Sequence, residues 1–233
     1  MTPPEPTGRQ NAERPSITPQ LARTRVMAIL RSADAYGLPA AARALAAGGV
    51  TCLEVTLTTA GALDAIACIR DELGADVSVG AGTVVTAADA HDALAAGAEF
   101  LVAPMVAPDV IRTAADRGIP FYPGAWTPTE VVTAWQCGAA AVKLFPAATG
   151  GPAHLRQLRA PLPEIPLVAV GGVDLAEAGK YRAAGAFAVG IGSPLLRGAD
   201  RAPAPEELNA LTARARALLE SVRPDTGAEE RHL

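Results

Sequence analysis

The sequence predicts a single-domain α/β protein, a (β/α)8 TIM barrel. Three observations lead there. Eight short, β-rich apolar runs alternate with segments of helical spacing. Glycine recurs where a helix gives way to the next strand. The length, 233 residues, suits one large barrel domain. Strands alternating with helices pair in parallel through right-handed crossovers, and eight such units close on themselves. A doubly wound open sheet is the alternative that the same pattern allows.

Residues 1–17 are rich in proline and polar residues and are expected to be a disordered leader. Thr18-Pro19 then has the form of a helix start, with Thr as N-cap and Pro at the first helical position. The first strand is Val26–Leu30. Gly48-Gly49 precedes the second, Val50–Leu57, and Val77–Val79 is the third. Gly97 precedes Ala98–Ala103, Gly118 precedes Ile119–Tyr122, and Gly138 precedes Ala139–Phe145. Pro166–Val170 is the seventh run, and Gly185 leads into Ala186–Ile191. A glycine after a helix accepts the left-handed turn that releases the chain into a strand. Between the strands, Leu63, Ile66 and Ile69 recur at helical spacing, as do Val131, Val132 and Trp135. The barrel domain therefore spans residues 18–222, and 223–233 form a polar tail.

Composition narrows the function. Half the residues are hydrophobic and 19% are charged, an ordinary globular balance. A net charge of -4 with a pI near 5.4 gives no basic patch for nucleic acid. No run is long enough to span a membrane, and the N-terminus lacks the apolar core of a signal peptide. Cys52, Cys68 and Cys137 are three in number with no C-x-x-C spacing, which reads as reduced core thiols in a cytoplasmic protein. His91, His154 and His232 are scattered, so no metal site is expected, and His91 and His154 read as surface residues. No cofactor motif is present; a small molecule is the expected partner.

The chain has eighteen arginines but only two lysines, Lys143 and Lys180. Lys180 falls in a polar helix and reads as solvated. Lys143 instead lies inside the sixth strand, among Ala141, Val142, Leu144 and Phe145. A guanidinium stays charged, whereas a buried amine can lose its proton and attack carbon. Lysine kept in that strand points to a nucleophilic amine, against the alternative of a structural ion pair. Glu54 is a carboxylate in the otherwise apolar second strand. A buried pair adds little stability, so an acid–base partner for the amine is the stronger account. The active site of such a barrel lies at the C-terminal strand ends. There the chain places Arg31, Thr83, Pro104, Phe145, Gly171-Gly172 and Gly192-Ser193. Glycines at the ends of strands seven and eight, with a short helix start, suit a phosphate held by backbone amides. Thr83 reads equally as a core hydroxyl or a substrate contact, and Pro104 and Phe145 as packing.

The series Glu54-Val55-Thr56-Leu57, Gly80-Ala81-Gly82-Thr83, Pro123-Gly124, Lys143-Leu144-Phe145-Pro146-Ala147, Gly171-Gly172-Val173 and Gly192-Ser193 resembles the 2-keto-3-deoxy-6-phosphogluconate / 4-hydroxy-2-oxoglutarate aldolase family. The resemblance runs from about residue 24 to residue 220. It implies a class I, metal-free, cofactor-free aldolase, usually a homotrimer, that cleaves a 2-keto-3-deoxy (phospho)sugar acid or 4-hydroxy-2-oxoglutarate to pyruvate and an aldehyde. It implies Lys143 as the Schiff-base lysine and Glu54 as the proton shuttle. It also implies Thr83 at the pyruvyl carboxylate, and Pro104 and Phe145 as pocket walls. Many members carry Arg where this chain has Thr58, which puts carboxylate binding in question at that position. Arg31 is the candidate replacement. The branch acting on the 6-phosphogalactonate epimer tends to lack the same Arg, and this chain is similar to it in Ala28–Arg31 and Val170-Gly171-Gly172. The rival readings are a phosphate-binding isomerase or epimerase, and a non-catalytic barrel that keeps the pocket.

Overall fold

The computed structural model describes residues 14–201 and 203–223. Nine strands form one sheet: β1 (Val26–Leu30), β2 (Cys52–Thr56), β3 (Ser78–Gly82), β4 (Leu101–Val102), β5 (Phe121–Tyr122), β6 (Gly124–Ala125), β7 (Val142–Leu144), β8 (Leu167–Val170) and β9 (Ala188–Ile191). Their order is β5-β4-β3-β2-β1-β9-β8-β7-β6, and every pairing is parallel. The two outermost strands are neighbours in the chain, separated by Pro123 alone. The sheet therefore curls into an α/β barrel, and the open doubly wound arrangement is ruled out. Nine strands replace the expected eight because Pro123, with no N–H, interrupts the ladder. Phe121–Tyr122 pairs with β4, and Gly124–Ala125 pairs with β7.

The helices are α1 (Pro19–Thr24), α2 (Leu38–Ala47), α3 (Ala62–Leu73), α4 (Ala87–Ala95), α5 (Pro108–Ala115), α6 (Pro128–Gln136), α7 (Ala147–Arg159), α8 (Ala178–Ala183), α9 (Ser193–Leu196) and α10 (Pro205–Ser221). From α2 onward they follow the strands and cover the outside. Their apolar faces and the outward strand residues form the larger core, including Leu38, Leu45, Ile66, Ile69, Val131 and Leu211. In α3 the buried face is Ala62, Ala65, Ile66 and Ile69; Leu63 is turned outward and Cys68 is exposed, so neither is the core residue that its type suggested. Cys52 is buried and Cys137 half-buried.

Two helices start with reciprocal caps. Asp89 N donates to Thr86 Oγ1 at 3.1 Å, and Thr86 N donates to Asp89 Oδ2 at 2.9 Å. Thr127 and Glu130 repeat the device at α6. Partial burial pushes the Asp89 carboxyl up, but amide hydrogen bonds from Val85 and Thr86 and the Thr86 hydroxyl outweigh it and leave the group below its usual range. Amide bonds from Thr127 and Trp126 lower Glu130 in the same way.

The smaller core fills the barrel interior with Leu21, Met27, Cys52, Phe100, Tyr122 and Val168 among others. Strand residues alternate faces, so this set is the inward half of each strand. The expected N-cap role of Thr18 is not realised by its side chain. Its backbone N–H instead donates to the Tyr122 hydroxyl at 3.1 Å, and Leu21 is fully buried beneath it. Most of the expected leader, residues 1–13, lies outside the described residues, as does 224–233 of the expected tail. The described part of the leader is fixed on the barrel. Arg14 Nη1 donates to Trp135 O at 2.9 Å and to Ala139 O at 2.6 Å, with its guanidinium 3.4 Å from the Trp135 ring centroid. No helix among the described residues is long and apolar enough to cross a membrane.

Candidate active site

The C-terminal strand ends open on a cleft of about 310 Å³. Arg31, Lys143, Phe145, Gly171, Gly172, Gly192 and Ser193 all line it. Seven expected site residues from β1, β7, β8 and β9 and the turns after them thus converge. Ile29, Val170, Gly190 and Pro194 line it as well; the alternation of strand faces was the signal that would have singled out Ile29 and Val170.

Lys143 is buried at 5% exposure, and Glu54 is fully buried. Register explains both. Lys143 sits between Gly124 and Val168, and Glu54 between Ile29 and Gly80, all on inward positions. Lys143 Nζ lies 5.1 Å from the Phe145 ring centroid. Glu54 is not among the residues that line the cleft; its carboxyl lies against Gly82 of the neighbouring strand β3. Neither of its oxygens has a hydrogen-bond partner among the described residues. Lys143 and Glu54 form no ion pair there either, which removes the structural pairing offered as an alternative.

Glycine makes this interior possible. A Cβ on Gly82 would fall 1.9 Å from Glu54 Oε1 and 2.6 Å from its Cγ. A Cβ on Gly124 would meet the Pro104 carbonyl at 2.2 Å. Thr83, next along β3, takes φ 61, a left-handed conformation that is an outlier for a β-branched residue. Such strain collects at functional positions.

Thr58, Thr83 and Pro104 stand outside the cleft lining. Thr58 is exposed, its hydroxyl 3.2 Å from Thr56 Oγ1. His154 is not a free surface residue. It is half-buried, stacked on Trp126 at 4.4 Å, with Nε2 2.9 Å from Trp126 O; nothing local in the sequence marks that contact. His91 and Lys180 are exposed. Burial pushes the Cys52 thiol and the Tyr122 phenol far up at the closed end of the barrel. No group of three or more His, Cys, Asp or Glu residues among the described residues is arranged to hold a metal ion.

A family model described as KDPG and KHG aldolase matches residues 17–205. The chain belongs to this aldolase family. The 2-dehydro-3-deoxy-phosphogluconate aldolase of Treponema pallidum is 41% identical over 170 residues, covering 71% of this chain and 79% of that protein. A probable 2-dehydro-3-deoxy-6-phosphogalactonate aldolase of Rhizobium meliloti is 35% identical, covering 74% and 82%. The solved KDPG aldolase of Legionella pneumophila, captured with pyruvate as a covalent carbinolamine, is 27% identical with a TM-score of 0.77, covering 85% of this chain and 96% of that one. The protein is thus a class I aldolase, a carbon–carbon lyase that yields pyruvate. The isomerase and non-catalytic readings fall with that membership.

Proposed function

We propose that this aldolase cleaves a 2-keto-3-deoxy-6-phospho sugar acid, of the gluconate or galactonate series, or 4-hydroxy-2-oxoglutarate, through a Schiff base on Lys143. One observation carries the assignment: a lysine buried on the inner face of an apolar strand reaches the cleft, in a barrel interior that also holds an unpartnered buried carboxyl group. The neutral amine attacks the C2 ketone, and loss of water gives an iminium that draws electrons from C3. Glu54, directly or through a water, takes the C4 hydroxyl proton. The C3–C4 bond then breaks, and its electron pair enters the pyruvate enamine while the aldehyde leaves. Glu54 returns the proton to C3, and hydrolysis frees pyruvate. Covalent catalysis divides one hard cleavage into easier steps, and positioned acid–base help contributes about 10²–10⁴-fold.

Arg31 takes the carboxylate role that Thr58 cannot fill, which its place in the cleft lining supports. Phe145 walls the pocket, and the amides around Gly171, Gly172, Gly192 and Ser193 receive the phosphate; Thr83 and Pro104, outside the lining, keep the roles that the family resemblance implies, at the pyruvyl end and behind the wall. Left-handed φ at Gly171 and Gly172, 92° and 74°, fits a backbone folded to present amides. We count β5, Pro123 and β6 as one bent strand, which makes the barrel (β/α)8, and we infer a cytoplasmic homotrimer. The test is borohydride reduction in the presence of pyruvate, followed by intact mass and peptide mapping. One reduced pyruvate should map to Lys143 and be absent from Lys143→Arg. An unmodified Lys143, with turnover intact, refutes the assignment.

A further inference from the structure

Beside the Lys143 cleft lies a second cavity of about 430 Å³, lined by Arg31, Ser32, Ser193, Arg197, Asp200 and Arg201 among its residues. It is joined to the first through Arg31 and Ser193, which line both. Three arginines and a single acidic residue are thus part of its wall. That carboxylate is engaged: Asp200 Oδ2 lies 3.9 Å from Arg201 Nε. Arg31 and Arg197 form no ion pair among the described residues. A neighbouring cation, Arg214, is occupied, donating from Nε to Leu195 O at 2.8 Å and from Nη2 to Leu196 O at 2.9 Å, which pins α9.

We propose that this cavity receives the outer oxygens of the substrate's terminal phosphate, and that Arg197 is the residue that makes the aldolase prefer a phosphorylated acid. The proposal rests on the Lys143 reading above and extends it to the far end of the substrate. Ser193 belongs to both cavities, so a phosphate seated there turns part of its charge toward Arg197. Arg197 is held in place for this: its backbone N–H donates to Ser193 O at 2.9 Å, and its Nε donates to Pro194 O at 3.3 Å. An arginine fork matches a phosphate dianion and discriminates against an uncharged hydroxyl, which leaves the cation unmatched.

The experiment compares kcat/KM for a 2-keto-3-deoxy-6-phospho sugar acid and for the same acid without phosphate. Wild type, Arg197→Ala, Arg197→Lys and Arg201→Ala are measured side by side. In Arg197→Ala the ratio of the two constants should fall about ten- to hundredfold, mostly through KM, as expected for one charge-assisted contact. Arg197→Lys should recover part of it, and Arg201→Ala should lose less because its charge is already shared. Inorganic phosphate should inhibit the wild type competitively, and Arg197→Ala more weakly. No preference for phosphate in the wild type, an unchanged ratio in Arg197→Ala, or a larger loss in Arg201→Ala overturns the proposal. Pyruvate trapping in the same preparations separates the two readings, since pyruvate carries no phosphate. Capture on Lys143 with an unchanged ratio sinks the subsite alone, whereas no capture in the wild type sinks the Lys143 assignment.

Discussion

Replacing Gly82 with alanine should separate the two halves of the reaction. The added Cβ would sit 1.9 Å from Glu54 Oε1 and 2.6 Å from both Cδ and Cγ, and these are its three nearest atoms. Real Cβ contacts essentially never fall below 3.0 Å, so the carboxyl must retreat by about an ångström or more. A surface glutamate would swing aside at little cost. Glu54 has no exposed surface, and its Cγ clashes along with its carboxyl, so the retreat has to be made by the packed interior. Overpacking of this sort costs about 1–3 kcal/mol of stability. Misplacing a catalytic group by about 1 Å costs on the order of 10²-fold in rate. Pyruvate release measured by coupled NADH oxidation should therefore show kcat for Gly82→Ala down by about 100-fold. Borohydride trapping of pyruvate on Lys143 should survive, because the new methyl group meets Glu54 first. A variant with wild-type kcat and wild-type Tm would show that the carboxyl group is not held against β3, or that proton transfer does not depend on it.

Lys143→Arg should keep the fold, checked by circular dichroism and Tm, and abolish turnover; measurable turnover returns the nucleophile to an open question. EDTA should leave kcat unchanged, and strong inhibition would point to a metal-dependent cleavage. Thr83→Gly relieves a left-handed strain of about 1–3 kcal/mol, so Tm should hold or rise while kcat/KM falls; a clear drop in Tm contradicts the strain. The capping carboxyls Asp89 and Glu130 are lowered in the fold, from ordinary values of 3.8 and 4.5. A lowered folded value contributes stability above the unfolded value, and that contribution disappears as pH falls through the folded one. Asp89→Asn and Glu130→Gln should thus unfold earlier than wild type in urea at pH 7, with the gap closing below about pH 4. A gap that persists undiminished at low pH refutes the charge-dependent account.

Lys143 and Glu54 were legible because a charged residue inside an apolar strand is conspicuous in one dimension. The glycine stops were legible because left-handed helix ends are chemically restrictive. What escaped depends on partners distant in sequence. Ile119–Tyr122 reads as a strand that ends at Pro123-Gly124, and only the pairing of Phe121–Tyr122 with β4 and of Gly124–Ala125 with β7 reveals that Pro123 is the seam of the ring. In α3 the large apolar residues misdirect, since the face against the barrel includes Ala62 and Ala65, small enough for close approach. His154 gains its place from Trp126, 28 residues away. Glu54 and Gly82 meet because β2 and β3 register Thr56 against Gly82; in the sequence that glycine looks like any other turn.

A carboxyl group held fully buried without a partner is a cost the barrel sustains at one end of its interior. At the other end the Thr18 N–H is matched by the Tyr122 hydroxyl, and the unpartnered group there is the smaller, neutral Ser78 hydroxyl. Leaving such a group unsatisfied costs about 1–3 kcal/mol, and a stabilising ion pair would have brought it to Lys143. The expected consequence is an inverse relation between stability and activity at this position. Glu54→Met keeps an unbranched chain of similar reach and removes the unsatisfied oxygens. It should raise Tm by about 2–4 °C for each kcal/mol recovered, while slowing cleavage by the factor lost with the proton shuttle. Thermal unfolding and pyruvate release on the same preparation decide the matter. If Glu54→Met melts well below wild type, the carboxyl group is contributing to the fold, and its isolation cannot be read as a signature of chemistry.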